Sequence, residues 1–274
     1  MNRKRLLPLN HTLHHKHRKR QCTTGRVLAG SSSSSTNNVH FEKDDIMETN
    51  IPNDTKTTLL YLKNIFPKDK FERDLPAIML KHQLYSILKN RTLVDKQLGE
   101  LRNSSEIRLF KLSLSDEDEY GVVFTTDYID YVKEHSKIMG LQSSIIEKYS
   151  ENVLKCCPDV SLDRKTLTTA FNFTEAEITK LVQCSILTVR DVGSWWLAIP
   201  AIGAFIKSFI RGRKAVVAMI KKSKYKEILK TELEQRNLPK SVKLGMEYHL
   251  HDIIGADMVQ RIKTTSGDLL RLND

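Results

Sequence analysis

The stretch EAEITKLVQCSILTVRDVGSWWLAIP, Glu175 to Pro200, decides how the rest of the chain reads. In its first half Ile178 and Leu181 lie one helical step apart. In its second half Leu187 and Val189 alternate as a strand would, Asp191-Val192-Gly193 signals a tight turn, and SWWLAIP returns as a partner strand. Trp195, Leu197 and Ile199 then share one side of that strand, and Trp196 and Ala198 the other. The unit is a short amphipathic helix followed by a hairpin, and both tryptophans read as hairpin packing rather than as base-stacking groups.

The unit recurs. In DKQLGELRNSSEIRLFKL, residues Leu98, Leu101, Ile107 and Leu109 repeat the spacing of Ile178, Leu181, Leu187 and Val189, and YGVVFT (Tyr120–Thr125) supplies the returning strand. In GADMVQRIKTTSGDLLRL, Val259 and Ile262 are assigned to the helix and Leu270 and Leu272 to the strand, two residues late, with Thr265–Gly267 as an intervening turn. Further helices are expected ahead of each unit: TKTTLLYLKNIFP and PAIMLKHQLYSIL, then SSIIEKYSENVLKCCP and DRKTLTTAF, then the long segment 203–236. Helices followed by a hairpin are the order of a winged helix. The predicted class is α+β, mainly helical, with three tandem winged-helix domains at 55–125, 126–200 and 201–274 behind a disordered basic tail, 1–54.

Charge points to a partner. Of the net +11, residues 1–41 hold eight Lys or Arg and no acid, and residues 205–230 hold nine and only Glu227. Two basic islands on a mildly acidic body suit a polyanion. In the tail, Arg3, Lys4 and Arg5 and then Lys16, Arg18, Lys19 and Arg20 form a two-part pattern suited to nuclear import, and GSSSSSTNN cannot offset its ordering entropy by burial. A transit peptide is the competing reading of the tail, weakened by Pro8.

In the second island, Phe205, Phe209, Gly212, Val216, Met219 and Ile220 fall on one side of a helix, with Lys207, Arg211, Lys214, Lys221 and Lys222 opposite, centred near Ala218. At 1.5 Å per residue the cationic row spans roughly 22 Å. Arg213 is expected to flank it, Lys224 and Lys226 to extend it, and Arg236 to lie at its far end. A row without acids suits closely spaced phosphates, so these nine residues are the candidate DNA-binding set. An acidic protein partner is the alternative. VAMIK (Val217–Lys221) resembles the strand motif of a protein kinase, but the chain has no GxGxxG, HRD or DFG. An atypical kinase is therefore a remote reading, and no catalytic residue is assigned.

No Ser/His/Asp, Cys/His or zinc pattern stands out, and no cofactor or metal is expected. His249 and His251 read as capping groups for a helix IIGADMVQRI, and the acidic Asp116–Glu119 loop as a solvated wing tip whose charge favours a protein contact over DNA. Cys22, Cys156, Cys157 and Cys184 include no CxxC pair and read as reduced thiols. No apolar run is long enough for a membrane span.

LTVRDVGSWWLAIP, FIKSFIRGRKAV, KYKEIL, YHLHDIIGADMV and TTSGDLLRL, within a likeness running from Leu59 to Leu272, resemble the serine/threonine-protein kinase 19 family. The resemblance implies a protein without kinase activity: three winged helices, nuclear and chromatin-associated, binding double-stranded DNA. It implies a role in transcription-coupled nucleotide excision repair. Its expected partners are the stalled RNA polymerase II complex, the Cockayne syndrome A ubiquitin-ligase component, UV-stimulated scaffold protein A and transcription factor IIH. It leaves monomer or homodimer open, and it puts DNA contacts on Lys207, Lys221, Arg236 and their basic neighbours.

Overall fold

The structure, a computed structural model, describes residues 54–71, 75–112 and 119–273. Its elements run through one order three times. First come α1 (Thr55–Ile65), β1 (Met79–Leu80), α2 (Gln83–Ile87), α3 (Arg91–Asn103), β2 (Ile107–Leu112) and β3 (Glu119–Phe124). Next are α4 (Thr125–Ile138), α5 (Ser143–Lys148) with a π-helical continuation Tyr149–Leu154, β4 (Ser161–Asp163), a π-helical turn Thr166–Ala170, α6 (Glu175–Gln183), β5 (Leu187–Asp191) and β6 (Ser194–Leu197). Last are α7 (Gly203–Lys222), a 3-10 turn Lys224–Lys226, β7 (Glu227–Leu229), α8 (Lys230–Glu234), α9 (Met246–Gly255), β8 (Val259–Thr264) and β9 (Gly267–Leu272). The fold is mixed helix and sheet, as the sequence implies.

Each group forms a three-stranded antiparallel sheet with the same order: β1-β3-β2, β4-β6-β5 and β7-β9-β8. The third strand of each sheet, two or three residues long, was not expected. PAIMLKHQLYSIL is not one helix: Met79 pairs with Val122, the Gln83 side chain accepts from the Leu80 N–H at 2.8 Å, and only Gln83–Ile87 coils. Segment 203–236 likewise breaks at Ser223, where an extended backbone (φ −75°, ψ 155°) ends α7 ahead of β7 and α8. Helix α4 was missed. Its buried positions Tyr128, Tyr131, Val132, His135 and Ser136 keep helical spacing but are mostly polar-tipped residues.

The third copy of the repeat is corrected in register. Val259 and Ile262 lie in β8, and the helix is α9, so Leu250, Ile253 and Val259 stand where Ile178, Leu181 and Leu187 do. The three helix-to-strand junctions share one stop. Ser105, Ser185 and Asp257 adopt left-handed backbone at φ 60°, 56° and 53°. The next N–H reaches back to Leu101, Leu181 and Ile253 carbonyls at 3.0 Å each, the Schellman closure. The Thr-Ser-Gly turn therefore joins two strands, pairing Thr264 with Gly267, not helix to strand.

One buried apolar cluster joins the first two sheets and takes in Phe205, Phe209, Leu244 and Tyr248 from the third group. A second, smaller cluster, with Val216, Ile220, Ile228, Leu250, Ile253 and Leu270, lies under β7–β9. Phe66, Phe71, Phe205, Phe209 and Tyr248 stack, tilt or meet edge-on where the segment after α1 meets α7 and α9, with centroids 5.4 to 6.4 Å apart. Arg108, fully buried in β2, donates to the carbonyls of Cys157 and Val153 and ties the first sheet to the second group. In β6, Leu197 is buried, Trp195 packs against the core, and the Trp196 ring lies under Arg190 at 4.5 Å and Lys111 at 5.2 Å.

The tail's import pattern (Arg3, Lys4, Arg5, Lys16, Arg18, Lys19, Arg20), the expected disorder of the tail 1–54 except at Asp54, the residue before α1, and Cys22 and Asp116 to Asp118 lie outside the described residues. Among the described residues Cys156 is exposed, Cys157 and Cys184 are buried, and all three are free thiols. No described helix is long and apolar enough to cross a membrane.

Candidate nucleic-acid interface

The candidate site is built on α7. Its burial follows one face: Phe205, Ser208, Phe209, Gly212, Val216 and Ile220 are buried, and Lys207, Arg211, Lys214, Ala218, Lys221 and Lys222 are exposed. The glycine is required by packing. A Cβ on Gly212 would lie 1.9 Å from His249 Nε2, so only a bare backbone lets α7 and α9 approach this closely. Lys207, Arg211, Lys214, Lys221 and Lys222 make no ion pair with any described residue. Lys221 and Lys222 also occupy the last helical turn, where the partial negative charge of the helix end offsets part of their repulsion.

Arg213 does not flank this row. It is turned inward, with a side chain 16% exposed, and donates to both oxygens of the fully buried Asp252 at 2.6 and 2.8 Å and to Glu119 Oε1 at 2.9 Å. Its guanidinium also covers the Phe209 ring at 4.5 Å. Burial alone would lower its pKa, but the two carboxylates outweigh that and raise it. Asp252 shows the converse. Burial would raise it, and the bonds from Arg213 and from His82 at 2.7 Å hold it below the usual carboxylate range. Glu119, expected in a solvated wing tip, is instead buried at the start of β3 and joined to α7.

Lys224 and Lys226 are exposed but stand on the turn after α7, not on its continuation. Arg236 is held by Glu232 one helical turn back at 2.6 Å and remains half-exposed. It lines an open cavity of about 610 Å3 together with Lys70, Lys240 and Lys243 over an apolar floor of Leu238, Val242 and Leu244. The Lys243 N–H donates to Ser208 Oγ at 2.7 Å, which sets this cationic loop beside α7. Sequence reading missed Lys70, Lys240 and Lys243; the lysines of PKSVK, 239–243, are its only trace in the sequence. Arg261 and Lys263 are exposed on β8.

The helix ahead of the third hairpin is covered. In helix-turn-helix folds that helix enters the major groove, whereas α9 packs on α1 and α2. Tyr61 donates to Glu247 at 2.6 Å, Gln83 to the Tyr248 carbonyl at 3.0 Å, and Tyr248 to the Ile78 carbonyl at 2.8 Å; Ser86 meets His251 at 2.7 Å. A Cβ on Gly255 would fall 1.9 Å from the His82 carbonyl oxygen. His249 and His251 are therefore not caps. Both sit inside α9, and burial pushes each down to about 4. Neither ring nitrogen of His249 has a hydrogen-bond partner, so a proton there would gain no bond. Among the described residues no group of His, Cys, Asp or Glu is arranged to hold a metal. VAMIK lies within α7 with Lys221 exposed, not on a strand facing a nucleotide cleft.

A family profile described as "Inactive serine-threonine protein kinase 19" matches residues 46–272. The human protein named "Winged helix repair factor 1" is 44% identical over 221 residues, 81% of this chain and 86% of that one. Its mouse counterpart is 45% identical over 78% of this chain and 83% of its own length, and that of Xenopus laevis 42% over 78% and 82%. The family's description as inactive and the relatives' names as repair factors make this chain a non-enzyme. With the match extending through all three sheets, the chain belongs to the inactive serine-threonine protein kinase 19 family.

Proposed function

We propose that this chain is a nuclear, chromatin-associated scaffold that binds double-stranded DNA without catalysis and acts in transcription-coupled nucleotide excision repair. Each three-stranded sheet with the helices before it is read as one winged-helix domain, at 55–125, 126–200 and 201–274. The observation that carries the DNA reading is the exposed row Lys207, Arg211, Lys214, Lys221 and Lys222, which has no ion-pair partner among the described residues. Lysines aligned along one helix meet phosphates and read few base edges, so sequence preference is slight. The covered position of α9 favours the same view, since the usual groove-reading helix has no open face toward a duplex. Relatives named as repair factors, and the family resemblance, support the repair role. On that resemblance the chain bridges the stalled RNA polymerase II complex, the Cockayne syndrome A component and UV-stimulated scaffold protein A to transcription factor IIH, and the first two domains, which lack such a basic row, are the candidates for protein docking.

Charge reversal tests the reading. Lys221→Glu with Lys222→Glu should cut duplex affinity at least about tenfold while the melting temperature stays within a few degrees, because both side chains are exposed. Unchanged duplex binding by that folded variant would move the site elsewhere. An adaptor for an acidic protein predicts no duplex binding by the purified wild type.

A further inference from the structure

We propose that Tyr225 is a stacking platform for an unpaired DNA base, so that the basic face prefers duplex interrupted by unpaired nucleotides over continuous duplex. This rests on the DNA-binding reading above and adds a second kind of contact to it.

Tyr225 is anomalous in two independent ways. Its backbone is left-handed, at φ 61° and ψ 16°, and Lys226 follows at φ 56°. A bulky side chain is strained there, and glycine or asparagine would fit with less cost. Its side chain does not repay that strain by packing, since the residue is 76% exposed. Among the described residues its hydroxyl has no hydrogen-bond partner and its ring meets no other aromatic ring. Lys224 Nζ lies 4.9 Å from the ring centroid. A strained, outward-turned aromatic residue with no hydrogen bond or ring partner among the described residues is suited to a partner outside the chain.

Its surroundings say what. Tyr225 stands directly beyond the C-terminal end of α7, and Lys221, Lys222, Lys224 and Lys226 around it are all exposed. A cluster of cations is costly to desolvate, which argues against a dry protein interface centred on the ring. Cations that track phosphates beside an aromatic face are the arrangement by which proteins hold single strands, the ring stacking on a base of any identity. In a continuous duplex every base face is occupied by its neighbours, so the ring adds nothing there. Where a base is unpaired, the backbone held by the lysines can present it to the ring.

The test uses the full chain and two DNAs of equal phosphate number, one continuous duplex and one with an internal unpaired bulge carrying 2-aminopurine. Wild type should bind the bulged DNA at least about fivefold tighter, the lower end of what one stacked base contributes, and quench the 2-aminopurine. Tyr225→Ala should abolish both the preference and the quench while leaving continuous-duplex affinity within about twofold and the melting temperature unchanged. Tyr225→Phe, which keeps the ring, should retain both. Equal binding of the two DNAs by wild type, or an undiminished preference in Tyr225→Ala, overturns the inference while duplex binding stands. Failure of wild type to bind either DNA overturns the DNA-binding reading and this inference with it.

Discussion

Arg213 and Lys214 are neighbours in sequence with opposite fates. Lys214 is on the open face of α7, and Arg213 turns inward to Asp252 and Glu119. One residue along a helix is a rotation of 100°, and that rotation alone separates a cation with no ion pair among the described residues from one that binds three elements together. The expectation that Arg213 flanks the cationic row fails because its carboxylate partners come from residues distant in sequence and leave no local trace. Replacing Arg213 with alanine strands a fully buried carboxylate. Stability should fall by about 3–5 kcal/mol, measured by urea denaturation, whereas Lys214→Ala should change it by less than about 0.5 kcal/mol. A small effect of Arg213→Ala would mean that the pair is not formed in solution. Gly212 teaches a similar lesson. Its place on the buried face is legible from spacing, but the contact that demands glycine, His249, is not.

At the scale of elements, the helix-then-hairpin unit was legible twice and misread once. In the first two copies the left-handed stop is a serine followed by clear strand alternation. In the third, Asp257 plays that part, and the flanking Ile254, Met258, Val259 and Ile262 kept a helical rhythm alive past the end of α9. The conformational stop is a backbone property, and apolar spacing does not report it. The short strands β1, β4 and β7 were invisible for a related reason, since two or three residues carry too little alternation to read. The shared stop makes a prediction. Ser185→Gly should preserve or raise stability, by up to about 1 kcal/mol, because glycine enters the left-handed region without a Cβ penalty. Ser185→Val should lower it by at least about 1 kcal/mol. Thermal melts of the two variants check this, and equal melting temperatures would contradict a left-handed stop at that position.

At the scale of the whole molecule, the third group is bound to the first through α9, and the binding surface is polar as well as aromatic. The aromatic junction of Phe66, Phe205, Phe209 and Tyr248 was not foreseeable from a chain with 7% aromatic residues, because composition does not say where they gather. Burial of His249 and His251 in this region sets a pH dependence. Their folded pKa values, near 4, lie below the unfolded value of 6.5, so the unfolded chain binds more protons between these limits. Their contribution is complete above about pH 6.5 and is lost as pH falls toward 4, the unfolded chain taking up as many as two more protons than the folded one in that window. Asp252, held below its ordinary value, adds a loss only at still lower pH. Urea midpoints at constant ionic strength should therefore fall steadily from pH 6.5 downward, and a flat profile would contradict the burial of these imidazoles.

The central claim is that one helix face, without ion-pair partners among the described residues and directed to solvent, meets the phosphates of a duplex. It is tested most directly by the affinity of the purified protein for duplex DNA measured across salt concentrations. Five cations on α7 predict a log–log slope of about −4 to −5, with little difference between unrelated sequences. A slope near zero, or no measurable duplex binding at low salt, would contradict it.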